Sequence, residues 1–156
     1  MSVYMGIDPG KSGAIAVIGE ERQIMELEPF SKDEYKRIMR DYGGYDVVCC
    51  LEHVAAMPGQ GVTSMFSFGE NFGWIQGMLE ANDVSYQLVR PRIWKKDYSL
   101  NDSKQKSTEA CRRLFPDVGN QLHRTIGSRK DDDGLAEALL MAEYARRHFG
   151  ASKAAK

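Results

Sequence analysis

Cysteine and histidine are both scarce in this 156-residue chain, with three of each. Cys49 and Cys50 are adjacent inside an apolar run. An odd count in that arrangement is no disulfide framework and points to a reducing compartment. The three histidines and three cysteines also lack metal-ligand spacing, which argues against zinc. Long hydrophobic runs are missing: none approaches the roughly 18 residues of a membrane span. The chain reaches Asp8 and Gly10 without a basic-then-apolar leader, so a cytoplasmic protein without a secretory signal is expected. Net charge is nearly absent as well, with 21 Lys and Arg against 22 Asp and Glu, giving -1. What is present is an ordinary globular balance of 42% apolar and 28% charged residues, which excludes global disorder. The length suits one domain over residues 1–150, with 151–156 as a frayed tail.

The small net charge conceals a segregation. Residues 1–89 hold six basic against thirteen acidic residues, a net of -7. Residues 90–130 hold eleven basic against four acidic, a net of +7, and the remainder nets -1. The central segment is either a solvated Lys- and Arg-rich face or an electrostatic footprint for a phosphate backbone.

Short apolar segments at Val3–Asp8, Ala14–Ile18 and Gln23–Glu28, parted by turn residues, predict a three-stranded antiparallel meander. Ser31 and Glu34 form a capping box that opens a helix ending near Tyr42, before Gly43-Gly44. Asp46–Glu52 contains a continuous apolar run of the kind found in a strand buried on both faces. After the loop Met57-Pro58-Gly59-Gln60-Gly61, Phe68, Phe72, Ile75 and Leu79 mark one stripe of a long helix. Gly69, Gly73 and Gly77 mark a second stripe, and each costs about 1 kcal/mol relative to alanine. Close packing on the sheet or close approach to a second subunit would explain them. A fifth strand follows at Val84–Val89, then a basic helix over Ser103–Leu114. A last helix runs from about Asp133 to His148, with Leu135, Leu139, Ala142 and Ala145 as its apolar face. This order predicts an α/β fold with a mixed five-stranded sheet, three antiparallel strands then two parallel, flanked by helices.

Carboxylates stand where such a fold would gather them. Asp8 ends the first strand, where an Asp-Pro-Gly turn alone could account for it. Glu52 ends the buried fourth strand, an unfavourable place for a lone Glu. If these strands are parallel neighbours, both acids meet at one sheet edge, where ligand sites collect in open sheets. Asp131, Asp132 and Asp133 would suit a helix N-terminus. Glu137 needs another reason, because it lies four after Asp133 and shares its face. Converging carboxylates repel unless divalent cations neutralise them, and oxygen-only ligands favour Mg²⁺ or Mn²⁺. Acids beside a basic segment point to metal-assisted phosphodiester hydrolysis by two ions about 4 Å apart. Arg90, Arg92, Lys95 and Lys96 would contact DNA phosphates, and Trp94 among them is either a core residue or a stacking platform.

Ile7-Asp8-Pro9-Gly10, Leu51-Glu52 and Asp132-Asp133 with Glu137-Ala138-Leu139-Leu140 resemble, in order and spacing, the RuvC-like Holliday junction resolvases of the RNase H-like (retroviral integrase) superfamily. Pro91-Arg92-Ile93-Trp94-Lys95-Lys96, Ser103-Lys104-Gln105-Lys106 and Arg112-Arg113-Leu114-Phe115-Pro116 resemble the phage-type members. The resemblance spans about residues 3–149. It implies an RNase H-like fold, and a Mg²⁺-dependent homodimer that resolves four-way junctions in branched DNA by paired symmetric nicks. Mn²⁺ would substitute. By motif position Asp8, Glu52 and Glu137 match metal-binding acids, and Lys106 matches a DNA-contacting lysine. The family's usual third acid lies three residues before the last, where this chain has Gly134. Asp133 is the natural substitute and Asp132 its competitor. Lys104, Arg112 and Arg113 complete the expected DNA contacts. The loop after Glu52, Met57 to Met65 with Phe66 behind it, is where relatives open the junction, although an ordinary loop with core anchors also fits here.

Two rivals share these features. One is a less selective RNase H-like nuclease acting on flaps, forks or RNA–DNA hybrids. The other is an architectural protein that binds junctions without cutting them. A nucleotide-dependent kinase or ATPase would need a duplicated domain that 156 residues cannot hold.

Overall fold

The computed structural model of this chain describes residues 1–100 and 104–150; the expected frayed tail and Ser103 lie outside the described residues. Five strands form one sheet: β1 (Ser2–Asp8), β2 (Ala14–Ile18), β3 (Ile24–Pro29), β4 (Asp46–Glu52) and β5 (Ser85–Val89). Their spatial order is β3-β2-β1-β4-β5. β1–β2 and β2–β3 are antiparallel, whereas β1–β4 and β4–β5 are parallel, the mixed sheet the sequence predicts.

Alternation along the strands divides two cores. Val3, Met5, Ile7, Cys49 and Leu51 point to one face. There they meet α1 (Lys32–Asp41), through Tyr35 and Ile38, and α2 (Val62–Ala81), through Phe72, Ile75 and Leu79. Tyr4, Ala16, Val48 and Cys50 point to the other face, against α5 (Asp133–His148). Half of the expected capping box forms: the Glu34 backbone N–H donates to Ser31 Oγ at 3.3 Å, while the Glu34 carboxylate accepts from Arg37 Nε at 3.1 Å.

The last helix departs from the amphipathic expectation. Every residue from Gly134 to Ala145 is buried, not one stripe alone. One side of α5 lies on the sheet and another packs on α4 (Lys104–Leu114), so it is a central helix. Its approach is set by Gly6, where an added Cβ would lie 2.2 Å from the Ala138 carbonyl oxygen. The glycine stripe of α2 also corrects one expectation. Gly69, Gly73 and Gly77 are exposed with open space around them, so packing on the sheet does not explain them. The β4–α2 connection is anchored in the core only at its start, by Val54, whereas Met57 in the connection and Val62 and Phe66 in the first turns of α2 are 63%, 85% and 71% exposed.

Candidate active site and nucleic-acid groove

In the parallel register Ile7 pairs with Leu51, so Asp8 and Glu52 come next at the same sheet edge. Period-two alternation turns both toward the α5 face, with Tyr4 and Gly6 on β1 and Val48 and Cys50 on β4. α5 starts at this edge, bringing Asp132, Asp133 and Glu137 to it. Asp8, Glu52, Asp132, Asp133 and Glu137 line one cavity of about 630 Å³, together with Lys11, Ser12, Phe68 and Lys95.

Each acid is held differently. Asp8 Oδ1 accepts the Gly10 backbone N–H at 3.1 Å, which ties the carboxylate to its own turn. Glu52 is 8% exposed, and its Oε2 accepts the Trp94 indole N–H at 2.9 Å. Glu137 is 7% exposed, with Lys95 Nζ 3.8 Å from Oε1. Asp132 is the N-cap of α5: Oδ1 accepts the Leu135 N–H at 2.9 Å. Arg124 grips the same carboxylate from Nε at 2.7 Å and from Nη2 at 2.9 Å. Arg124 Nη2 also donates to the Ser12 carbonyl at 2.6 Å, so one guanidinium fastens the α5 start to the β1–β2 turn. Burial pulls the Asp132 carboxyl upward, but the Arg124 and Leu135 hydrogen bonds outweigh it and hold it below the usual carboxylate value. Gly134 abuts the same turn, where a Cβ would lie 2.3 Å from the Ser12 carbonyl oxygen. No Cβ fits there unless the turn shifts, so this close approach needs glycine at position 134.

A larger groove of about 1380 Å³ adjoins this site. Arg90, Arg92, Lys95 and Lys96 line it, with His53, Met57, Gln60 and Phe68 opposite. The basic motif folds as a short helix, α3 (Pro91–Lys96), whose proline stands in the first turn where no N–H partner is needed. Arg92, Ile93 and Lys96 face solvent, whereas Trp94 is 0% exposed. The stacking expectation for Trp94 is therefore corrected: its ring is core, and its N–H serves Glu52. Arg112 already has a partner within the fold, while its side chain stays 40% exposed. It grips Asp131 through Nε at 2.7 Å and Nη2 at 2.5 Å, holding that carboxyl below its usual range. Lys106 and Arg113 are exposed on α4, but neither lines the cavity or the groove. The Lys104 side chain lies outside the described residues.

Sequence reasoning missed Arg124, Lys11, His53 and the indole donor. Arg124 lies within the basic segment, but nothing local distinguishes it, since its partners Ser12 and Asp132 meet only in the fold.

The site's donors are all carboxylate oxygens, the chemistry that suits Mg²⁺ or Mn²⁺. Among the described residues no three Asp, Glu, His or Cys side chains draw together tightly enough to hold an ion as they stand. Donor type thus fits a hard divalent cation, with the carboxylates arrayed around the cavity instead of closed on one point. The described helices also include none long and apolar enough to cross a membrane.

A mixed sheet with two parallel strands added to an antiparallel meander, flanked by helices, is the RNase H-like fold. Within it the chain shares its architecture with RuvC of Thermus thermophilus. A structure described as that RuvC in complex with Holliday junction substrate superposes with a TM-score of 0.63 at 16% identity. The match covers 95% of this chain and 97% of that one. A second Thermus thermophilus RuvC structure gives 0.62 at 15% identity, covering 97% and 96%. No protein-family model and no curated protein sequence matches the chain.

Proposed function

We propose that this protein is a divalent-metal-dependent, structure-selective DNA endonuclease that resolves four-way junctions, working as a cytoplasmic homodimer. The observation that carries this reading is the placement of Asp8, Glu52, Asp133 and Glu137 on one cavity that adjoins a groove lined by four cations. The RuvC fold supports it, since one RuvC with this architecture is seen with a Holliday junction.

Asp8, Glu52, Asp133 and Glu137 would hold two Mg²⁺ ions per site, with Mn²⁺ substituting. Asp133 is preferred to Asp132 because Arg124 and the helix cap already engage both Asp132 oxygens. When bound, such ions make water a nucleophile at neutral pH and stabilise the leaving 3′ oxygen. The protein's own groups hold the DNA: Arg90, Arg92, Lys95 and Lys96 take phosphates on the groove, and Lys95 reaches the boundary between groove and cavity. Glu52 and Glu137, nearly dry, would act in a medium where charge interactions are stronger than in water. The open glycine face of α2 and the exposed Val62 and Phe66 beside it support a second subunit there, which would give two active sites and paired nicks.

The test is Asp8→Asn on a labelled four-way junction, with flap, fork and RNA–DNA hybrid in parallel. The expected result is wild-type junction binding with cleavage lowered at least a hundredfold. Wild-type protein that cuts hybrids or flaps faster than junctions would favour a general nuclease, and one that binds junctions but cuts nothing with Mg²⁺ or Mn²⁺ would be an architectural protein.

A further inference from the structure

Trp94 and Lys95 are consecutive residues of α3, and each reaches a different acid of the cavity. The Trp94 indole N–H lies 2.9 Å from Glu52 Oε2, and Lys95 Nζ lies 3.8 Å from Glu137 Oε1. The turn that carries them is fastened to the helix bearing Asp133 and Glu137. Tyr98 Oη donates to the Leu140 carbonyl at 2.6 Å, and Asp97 meets His148 at 2.8 Å and Arg147 at 3.5 Å. Trp94 itself is wholly buried, so its ring cannot swing to another partner without opening the core. The outer face of the same turn presents Arg92 and Lys96 to the groove.

We propose that Trp94 is a positioning residue for metal binding: its indole N–H fixes one oxygen of Glu52 and thereby sets the orientation in which Glu52 meets the cation. An indole suits this task because it is a donor only, carries no charge, and cannot compete with the cation for the carboxylate. A donor that locks a ligating carboxylate lowers the ordering cost of binding, and losing such an outer partner typically costs 10- to 100-fold in metal affinity. Arg or Lys in the same place would fix Glu52 equally well but would repel the ion. This inference rests on the metal-nuclease reading above.

The experiment measures Mn²⁺ affinity directly, by electron paramagnetic resonance of the free ion, on full-length protein without DNA. Trp74→Phe protein is the reference, since Trp74 packs on Phe30 and Tyr35 away from the acids and leaves Trp94 as the single tryptophan. In that background Trp94 is replaced biosynthetically by β-(3-benzothienyl)alanine, which keeps the ring shape but has sulfur in place of N–H. Trp94→Phe is the genetic counterpart, and the sulfur analogue preserves the test should phenylalanine leave too large a void. The expected result is Mn²⁺ binding about tenfold weaker or worse, with junction cleavage restored toward the reference as Mn²⁺ is raised. A structural defect would not be cured by excess metal, so cleavage that stays low at saturating Mn²⁺ overturns the proposal. Unchanged Mn²⁺ affinity in the analogue, while Asp8→Asn and Glu52→Gln weaken it, overturns the positioning role and leaves the nuclease reading standing. If those two acid substitutions also leave Mn²⁺ binding unchanged, both readings fall.

Discussion

Arg124 shows how much one side chain can carry by holding other residues in place. It closes a bidentate pair on Asp132, the cap of α5, and donates to the Ser12 carbonyl in the turn after Asp8. Asp131 is held likewise by Arg112. Both carboxyls lie below their ordinary value of 3.8 in the folded protein. A depressed carboxyl stabilises the fold fully above its unfolded value, and that contribution is lost as pH falls through the folded value. Stability should therefore decline steeply below about pH 3.8. Arg124→Met should cost about 1–3 kcal/mol at pH 7, because it strands a partly buried carboxylate, and much less near pH 2. Urea unfolding at the two pH values checks this, and an equal loss at both would mean that the guanidinium stabilises by packing alone.

At the scale of elements, backbone contacts decide where the acids stand. α5 lies directly on β1 at Gly6 and against the β1–β2 turn at Gly134, so two glycines set how close the helix comes. Gly134→Ala should cost about 1–3 kcal/mol by overpacking against the Ser12 carbonyl, and should lower cleavage by shifting Asp133 and Glu137. Gly73→Ala is the opposite case, since open space surrounds that exposed helical position. There alanine should stabilise the isolated subunit by up to about 1 kcal/mol from helix propensity, read at protein concentrations low enough to keep subunits apart because this face is the proposed seam. Thermal melts of the two variants give the comparison, and a shift of the same sign in both would contradict it. The elements themselves were legible: the capping box, the doubly buried β4 run and the 3.6-residue stripe of α2 each carry a local pattern. The full burial of α5 was not, since Glu137 and Glu143 interrupt its apolar run and only packing on both sides conceals them.

For the whole molecule, the charge arithmetic becomes spatial. The cationic segment does not form one uniform face. Arg112 and Arg124 pair with Asp131 and Asp132, Lys106 and Arg113 stand apart on α4, and Arg90, Arg92, Lys95 and Lys96 line the groove. If each groove of the proposed homodimer neutralises four phosphates, eight in all, the logarithm of junction affinity should fall with the logarithm of salt with a slope of about -7. Replacing Arg92 and Lys96 together by alanine should make that slope shallower by about 3.6, and the Arg113→Ala variant should leave it nearly unchanged. Binding isotherms from low to moderate salt distinguish these outcomes, and an equal effect from Arg113 would place the DNA track over α4 instead.

Most of the architecture was present in the sequence, because strand and helix periods, caps and turn residues act over a few neighbours. The same local rules put Asp8 and Glu52 at strand ends, and the order of elements brought them together as parallel neighbours. What only the tertiary structure decided were pairings between residues far apart in the chain. Trp94 with Glu52, Arg124 with Ser12 and Asp132, and the backbone of α5 against Gly6 follow from how the layers pack, not from any spacing. Trp94 is the sharpest case: four neighbouring cations suggest a surface platform, yet the hydrophobic gain from burying an indole, with its one N–H satisfied by Glu52, turns it inward.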